Sequence, residues 1–408
     1  MARIDEPLRI GNWLLPNRVV LQPMEGCDGG SDGAIGELTR RRYLRFAASG
    51  AAVVWFEAIS VCPEGRANPR QLYLHEGMAE NFRCLLDDMR AHAMRETGTV
   101  PKIIAQLTHS GRFAKPNGSP EPLVAYRNPV WERGREAQPY KIVTDDYCQQ
   151  IAEAYAKAAK LVAEVGFDGI DVKCCHGYLL GEFLSAYDRP GRYGGSFENR
   201  VRLFHECLEA ARQAIPAHVL LTTRLNAYDG FPYPYGYGAS EHEEIDLGEC
   251  KFILRNLRDR CSIALVNMTL GNPYLIPHIN RPARNLEEPG EVGMARIRAI
   301  MLELQSAFPE LALVASGLSY PGVDAIAYAN ALLEDGAATL AGFGRMAFAY
   351  PQFYRDYKAS GHLDRTKACL ACGKCTQLMR AGTVAGCPVR DGEAYMPYYN
   401  KYVLKKEG

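Results

Sequence analysis

Four of the thirteen cysteines fall within nineteen residues near the C-terminus: Cys369, Cys372, Cys375 and Cys387. The pattern is C-x2-C-x2-C-x11-C, with Pro388 directly after the last cysteine. Three thiolates with two residues between neighbours can wrap one small inorganic centre from a single tight loop, and a fourth from farther along closes the coordination. Gly373, Gly382 and Gly386 supply turns that let backbone amides approach sulfur. The run resembles the ligation of a [4Fe–4S] cluster. Structural zinc also takes four cysteines, though more often from two separated C-x2-C pairs. Disulfides or free thiols are the third alternative. The other nine cysteines are scattered and fit buried small hydrophobes or idle thiols.

Composition bounds the partners. The 408 residues carry 47 Lys+Arg and 47 Asp+Glu, a net charge of zero, which argues against a nucleic-acid binder held by bulk charge. Hydrophobic residues at 47% suffice for a large core. No apolar run approaches the ~20 residues of a membrane span. The N-terminus carries Arg3, Asp5, Glu6 and Arg9 without an apolar stretch, so no secretory signal is expected. A cytoplasmic protein, away from membranes, is the expectation.

Eight β-rich runs alternate with amphipathic stretches: 18–24, 51–57, 102–107, 168–173, 218–224, 262–266, 311–315 and 338–341. Helices are expected near 36–48, 80–95, 197–214, 247–258, 293–308, 322–333 and 351–359. The clearest helix follows Thr144, a cap backed by Asp145 and Asp146. Its apolar face comprises Tyr147, Ile151, Ala154, Ala158, Leu161 and Val165, and Gly166 stops it. Eight such units predict an α/β fold, a (β/α)8 TIM barrel, with a cysteine-rich C-terminal extension. No G-x-G-x-x-G follows an early strand and no P-loop is present. Two irregular loops, 114–141 and the tyrosine-rich 226–246, emerge on the face where a barrel keeps its site. The second loop suits either a flap over a flat ligand or a packing insertion.

The residues closing these strands resemble the old yellow enzyme family of flavin oxidoreductases. The likeness runs from LRIGNWLLPNRVVLQPM (8–24) through IIAQLTHSGR (103–112), FDGIDVKCCHGYLLGEFLS (167–185) and YGGSFENRVRL (193–203) to GFGR (342–345). With the cysteine run after the barrel, it resembles the iron–sulfur branch that includes 2,4-dienoyl-CoA reductase and trimethylamine dehydrogenase.

That resemblance implies FMN. Gln106 matches the amide that pairs with the ring, Arg224 the cation near N1 and O2, and Gly317, Gly344 and Arg345 the phosphate site; Pro23, Met24, Glu25 and Ala58 fall at matching strand ends. Taken alone, an Arg ending a strand is more often a surface ion pair. The resemblance also implies two oxygen-binding positions, Lys173 and His176, and a proton donor, Tyr178, for hydride addition from reduced flavin N5 to an activated alkene. Alone, His176 would more often be structural. Lys173 stands where His is usual, and Glu25 where many relatives carry Thr or Cys. His109, in the HSGR turn, suits a structural role or a place near the cofactors equally well.

The implied organisation is an FMN-binding barrel over 1–360 and a [4Fe–4S] extension over 361–408. The implied activity is ene-reduction of a small unsaturated molecule. Amine or N-methyl dehydrogenation, C=C isomerisation and a zinc-bearing structural subunit are its alternatives. Candidate electron donors are NAD(P)H, a separate reductase subunit or a small carrier, because relatives continue into a further domain whereas this sequence ends at Gly408. A homo-oligomer stays open. Tyr395, Tyr398, Tyr399 and Tyr402 would pack on the barrel or on a partner.

Overall fold

The computed structural model describes residues 2–133, 139–242 and 244–407. Eight parallel strands close into one barrel in chain order: β1 (Val19–Leu21), β2 (Val53–Ser60), β3 (Lys102–Thr108), β4 (Gly169–Val172), β5 (Leu220–Asn226), β6 (Leu265–Thr269), β7 (Ala312–Ala315) and β8 (Leu340–Phe343). Every expected strand is present. β6 begins three residues late because Ser262 turns the chain at φ 51°. Asn267 lies in register with Arg224.

Helices α1 (Glu37–Ala47), α2 (Ala79–Thr97), α3 (Asp145–Val165), α4 (Arg202–Ala214), α5 (Gly248–Asp259), α6 (Gly290–Ala307), α7 (Ala325–Glu334) and α8 (Phe353–Ser360) surround the barrel. In α3 the Thr144 side chain accepts from Tyr147 N and Gly166 ends the helix at φ 103°. The buried stripe of α3 runs through Cys148, Ile151, Tyr155, Ala158, Val162 and Val165, one position over from the expected face. The helix buries a band wider than one row, and Tyr147, Ala154 and Leu161 lie at its edge. The helix expected over 197–214 divides at Val201 into Phe197–Arg200 and α4.

A hairpin of Leu8–Ile10 and Trp13–Leu15 plugs the N-terminal end. Its Ile10, Trp13 and Leu15 join Val53, Trp55 and Ile104 in one apolar cluster. The opposite end stays polar and carries the long loops. Loop 114–141, of which 134–138 lie outside the described residues, contains a two-stranded pair, Leu123–Val124 with Lys141–Ile142. Loop 226–246, apart from position 243, is a packing insertion. Tyr228, Phe231 and Tyr237 are buried in it, and none of its five aromatic residues lines the cavity described below.

After α8 the chain crosses this polar end. The thiol loop leads into helix Lys374–Arg380, and Gly392–Tyr402 follows. Tyr395 and Tyr399 bury against Leu378 and Val384 inside this segment. It docks on the barrel through Ala385 N to Gly26 O (2.7 Å), Arg284 N to Ala371 O (3.0 Å) and Asp391, which accepts from both Arg41 and Arg45. No helix among the described residues is long and apolar enough to cross a membrane.

Candidate active site

The C-terminal ends of the strands and the extension line one cavity that opens to solvent. Gln22, which lines it, is locked in an amide pair with Asn267 behind it. Gln22 Nε2 donates to Asn267 Oδ1 (3.0 Å) and Asn267 Nδ2 returns a bond to Gln22 Oε1 (2.8 Å), with Ser316 Oγ beside them. Two buried amides that satisfy each other hold a fixed polar surface. Gln22 closes β1 one residue before Pro23 and was not among the expected site residues.

Gln106 and Arg224 are organised by Asp171, a second residue the sequence did not single out. Asp171 sits in register with Gln106 and accepts from Gln106 Nε2 (2.7 Å), Trp55 Nε1 (2.8 Å) and Arg224 N (2.6 Å). Burial lifts its carboxyl to about 6 against those bonds. The signal was its place in DGIDVK, one strand over from Gln106. Arg224 lines the cavity, and its Nε is buried without a hydrogen-bond partner. A buried N–H left without a partner fits an anionic or carbonyl-bearing ligand edge.

Lys173, His176 and Tyr178 meet in the same cavity. His176 takes a left-handed backbone, φ 65°, and Asn272 Nδ2 donates to its carbonyl (3.1 Å). That conformation is uncommon outside glycine and is typical of residues aimed by their surroundings. Asn280 Nδ2 lies 3.2 Å from His176 Nε2, so Nε2 accepts and the proton sits on Nδ1. Burial, with Arg224, Lys173 and Arg281 nearby, keeps the ring neutral far below the usual histidine range. The Lys173 ammonium stands 3.6 Å from the Tyr178 ring centre, and burial lowers its pKa.

The Tyr178 hydroxyl lies 3.0 Å from that of Tyr274 and donates to Glu25 Oε1 at 3.3 Å. Burial and the Glu25 charge push the Tyr178 phenol well above its usual pKa, so it stays protonated. Tyr274 stacks on Phe113, with centroids 3.8 Å apart. It sits in a loop that strand-end reasoning skipped.

The model of the NADH:flavin oxidoreductase / NADH oxidase family matches residues 3–280. The chain belongs to this family. The old yellow enzyme resemblance is thus borne out, and the chain is an oxidoreductase that uses flavin.

The chain is 31% identical over 248 residues to an NADPH dehydrogenase of Clostridium acetobutylicum, covering 60% of this chain and 69% of that protein. It is 25% identical over 373 residues to an NADH oxidase of Thermoanaerobacter brockii, covering 89% of this chain and 52% of that protein. The chain thus spans about half the length of that oxidase. In fold it resembles a 2-naphthoyl-CoA reductase, with a TM-score of 0.78, 20% identity and coverage of 95% of this chain and 56% of that one. It likewise resembles an old yellow enzyme homologue from Zymomonas mobilis, with a TM-score of 0.68, 20% identity and coverage of 89% and 94%.

The remaining positions fall as follows. Pro23, Met24, Glu25, Gly317, Gly344 and Arg345 line the cavity. A Cβ on Gly344 would sit 2.8 Å from Met24 Sδ, so a larger residue there would push the Met24 side chain aside. Ala58 is buried in β2, its carbonyl accepting from Gln71 Nε2, and does not line the cavity. His109 is also elsewhere. Gly111 N donates to its Nδ1 (3.0 Å) and its Nε2 meets the Tyr147 hydroxyl (3.0 Å), a structural arrangement.

The four cysteines line a second, smaller cavity. Backbone amides of Ala371 and Arg390 donate to Cys369 Sγ and Cys387 Sγ, each at 3.4 Å. Ala371 reaches this through φ 51°. Among the described residues no three ligating side chains converge on the position of one metal ion. Cys375, Arg345 and Phe348 line both cavities.

Proposed function

We propose that the chain is an FMN- and [4Fe–4S]-dependent reductase of activated C=C bonds, with the flavin in a barrel over 1–360 and the cluster in the extension over 361–408. The observation that carries this reading is the convergence of Lys173, His176 and Tyr178 on the cavity that Arg224 and Arg345 also line. The residues fit both groups. The orphaned Arg224 Nε suits the flavin's electron-rich edge, and Gly317, Ser319 and Arg345 would hold its phosphate. Four thiols around a cavity, two of them receiving amide hydrogen bonds, suit a cluster with body rather than a single zinc ion.

When bound, FMN supplies hydride transfer and the cluster supplies single electrons. Everything else belongs to the side chains. Lys173 and His176 would bind the substrate's carbonyl oxygen, where charge accumulates in the transition state. His176 acts as a neutral donor, because burial beside cations keeps it unprotonated. Tyr178, held protonated, delivers its hydroxyl proton to the substrate α-carbon. Tyr274 and Glu25 hold the Tyr178 oxygen in place, and its proton turns from Glu25 to the substrate for the transfer. Phe113, stacked on Tyr274, screens the wall from water.

The cavity's charge weighs against amine oxidation. Lys173, Arg224, Arg281, Arg345 and Arg380 line it against one carboxylate, Glu25. Such a field repels an ammonium substrate and favours an oxygen-bearing acceptor. The test is anaerobic. The purified protein, photoreduced, is offered 2-cyclohexenone, crotonyl thioester and trimethylamine in turn. Re-oxidation by an alkene supports the reading, whereas bleaching of the oxidised protein by the amine overturns it. NAD(P)H, a reductase subunit or a small carrier would supply the electrons.

A further inference from the structure

Five cations line the main cavity, and the cofactor and carbonyl roles proposed above employ three of them, Lys173, Arg224 and Arg345. Arg281 and Arg380 are left over. They come from different segments, Arg281 from the loop after β6 and Arg380 from the helix of the extension. Both guanidinium groups donate to one oxygen, the Pro273 carbonyl, at 3.1 and 3.2 Å. Arg281 also donates to Thr376 Oγ1 (3.0 Å). Each fork still has N–H groups to spare. Neither arginine makes an ion pair with a described carboxylate. The same extension solves the same problem differently a few residues away, where Asp391 sits between Arg41 and Arg45. Two guanidinium groups gathered on one carbonyl, with no carboxylate between them, repel each other until an anion bridges them. Burial and the neighbouring Arg345 and Arg380 accordingly depress Arg281 to about 10.

We propose that Arg281 and Arg380 form an oxyanion-binding pair at the outer part of the cavity, so that the substrate is an unsaturated carbonyl compound bearing a second, anionic group. This rests on the ene-reductase reading of the site. The oxyanion is a carboxylate on the substrate itself or a phosphate on a thioester carrier. Because the pair joins the barrel to the extension, an anion there also ties the thiol-bearing helix to the loop that carries Tyr274.

The test compares matched probes on the holoprotein. Calorimetry measures binding of cyclohexanone and of 3-oxocyclohexane-1-carboxylate, neither of which can be reduced. Re-oxidation rates are then compared for crotonyl-N-acetylcysteamine and crotonyl-CoA. The pair predicts at least a tenfold advantage, about 1.4 kcal/mol, for the anionic member of one matched set. A carboxylate source shows in the first set and a phosphate source in the second. Arg380→Gln, at an exposed position, should erase that advantage and leave the neutral probe unchanged, and Arg281→Gln should erase it as well. Equal binding of neutral and anionic probes in both sets overturns the proposal. So does loss of FMN from either variant, which would assign the pair to the cofactor's phosphate. Because the calorimetric arm needs no turnover, failure of the ene-reductase reading shows separately, as absence of re-oxidation by every alkene.

Discussion

The Tyr178 and Tyr274 hydroxyls stand 3.0 Å apart, and the Glu25 carboxylate lies 3.3 Å from the former. Two partners hold the phenol oxygen in place, and its one proton can turn from Glu25 to a bound substrate. Tyr178→Phe should therefore slow the alkene half-reaction by about 10²-fold or more, the usual weight of a positioned general acid. Flavin reduction, which needs no such proton, should keep its rate. Tyr274→Phe removes only an orienting bond and should cost about tenfold. Rapid mixing of photoreduced protein with an enone measures both. Equal loss in the two half-reactions would remove Tyr178 from the proton step.

Cys372 lines the thiol cavity but not the main cavity, whereas Cys375 lines both. Cys372→Ala should therefore lose iron while the barrel retains FMN. Metal analysis and the visible spectrum of the anaerobic protein check this. Unchanged iron content would exclude Cys372 as a ligand, and stoichiometric zinc in the parent protein would exclude the cluster.

The barrel was legible because its strands are short β-branched runs cut by glycine and helix caps, a pattern that periodicity alone recovers. The lining of the cavity was legible where chemistry-bearing residues lie at or just after strand ends, as at Gln106, Lys173, His176 and Arg224. What escaped was the support behind them. Asp171 lies inside an apolar run, and its value appears only when β3 and β4 pair in register. Gln22 and Asn267 are 245 residues apart and meet only when the barrel closes. Tyr274, Arg281 and Arg380 occupy segments without periodicity, so no pattern points to them. Ala58 was named for its strand end, but the β2–β3 ladder is irregular between Trp55 and Ala58, and the cavity is built without it.

Arg42 is buried and donates to Asp28 and Glu57, while Glu57 also accepts from Gly26 N (2.9 Å). This ion triad fixes the turn that follows Glu25. Burial raises the Glu57 carboxyl to about 7 despite the arginine. Removing the cation would leave two buried carboxylates facing each other. Arg42→Met should destabilise the protein by about 3–5 kcal/mol, the cost of breaking a buried pair. It should also loosen Glu25, weakening its hold on Tyr178. Urea unfolding reads the first effect and the pH profile of the alkene half-reaction reads the second. A loss below about 1 kcal/mol, the level of a surface pair, would show that the triad is not holding the turn.

His109 gives a pH signature independent of the cofactors. Its Nδ1 accepts from Gly111 N, so Nε2 bears the proton and donates to the Tyr147 oxygen, which in turn donates to Glu64. Burial depresses its pKa to about 4. An unfolded histidine titrates near 6.5, so between pH ~6.5 and ~4 the unfolded chain takes up a proton that the folded one refuses. Stability from this group is complete above pH ~6.5 and is lost as pH falls through that window. The loss totals about 3 kcal/mol by pH ~4, at 1.36 kcal/mol per pH unit. His109→Gln has no proton to refuse. Its urea midpoint should start lower at neutral pH and then decline less steeply on acidification than that of the parent protein. Parallel decline in the two would mean that protonating His109 does not oppose the fold.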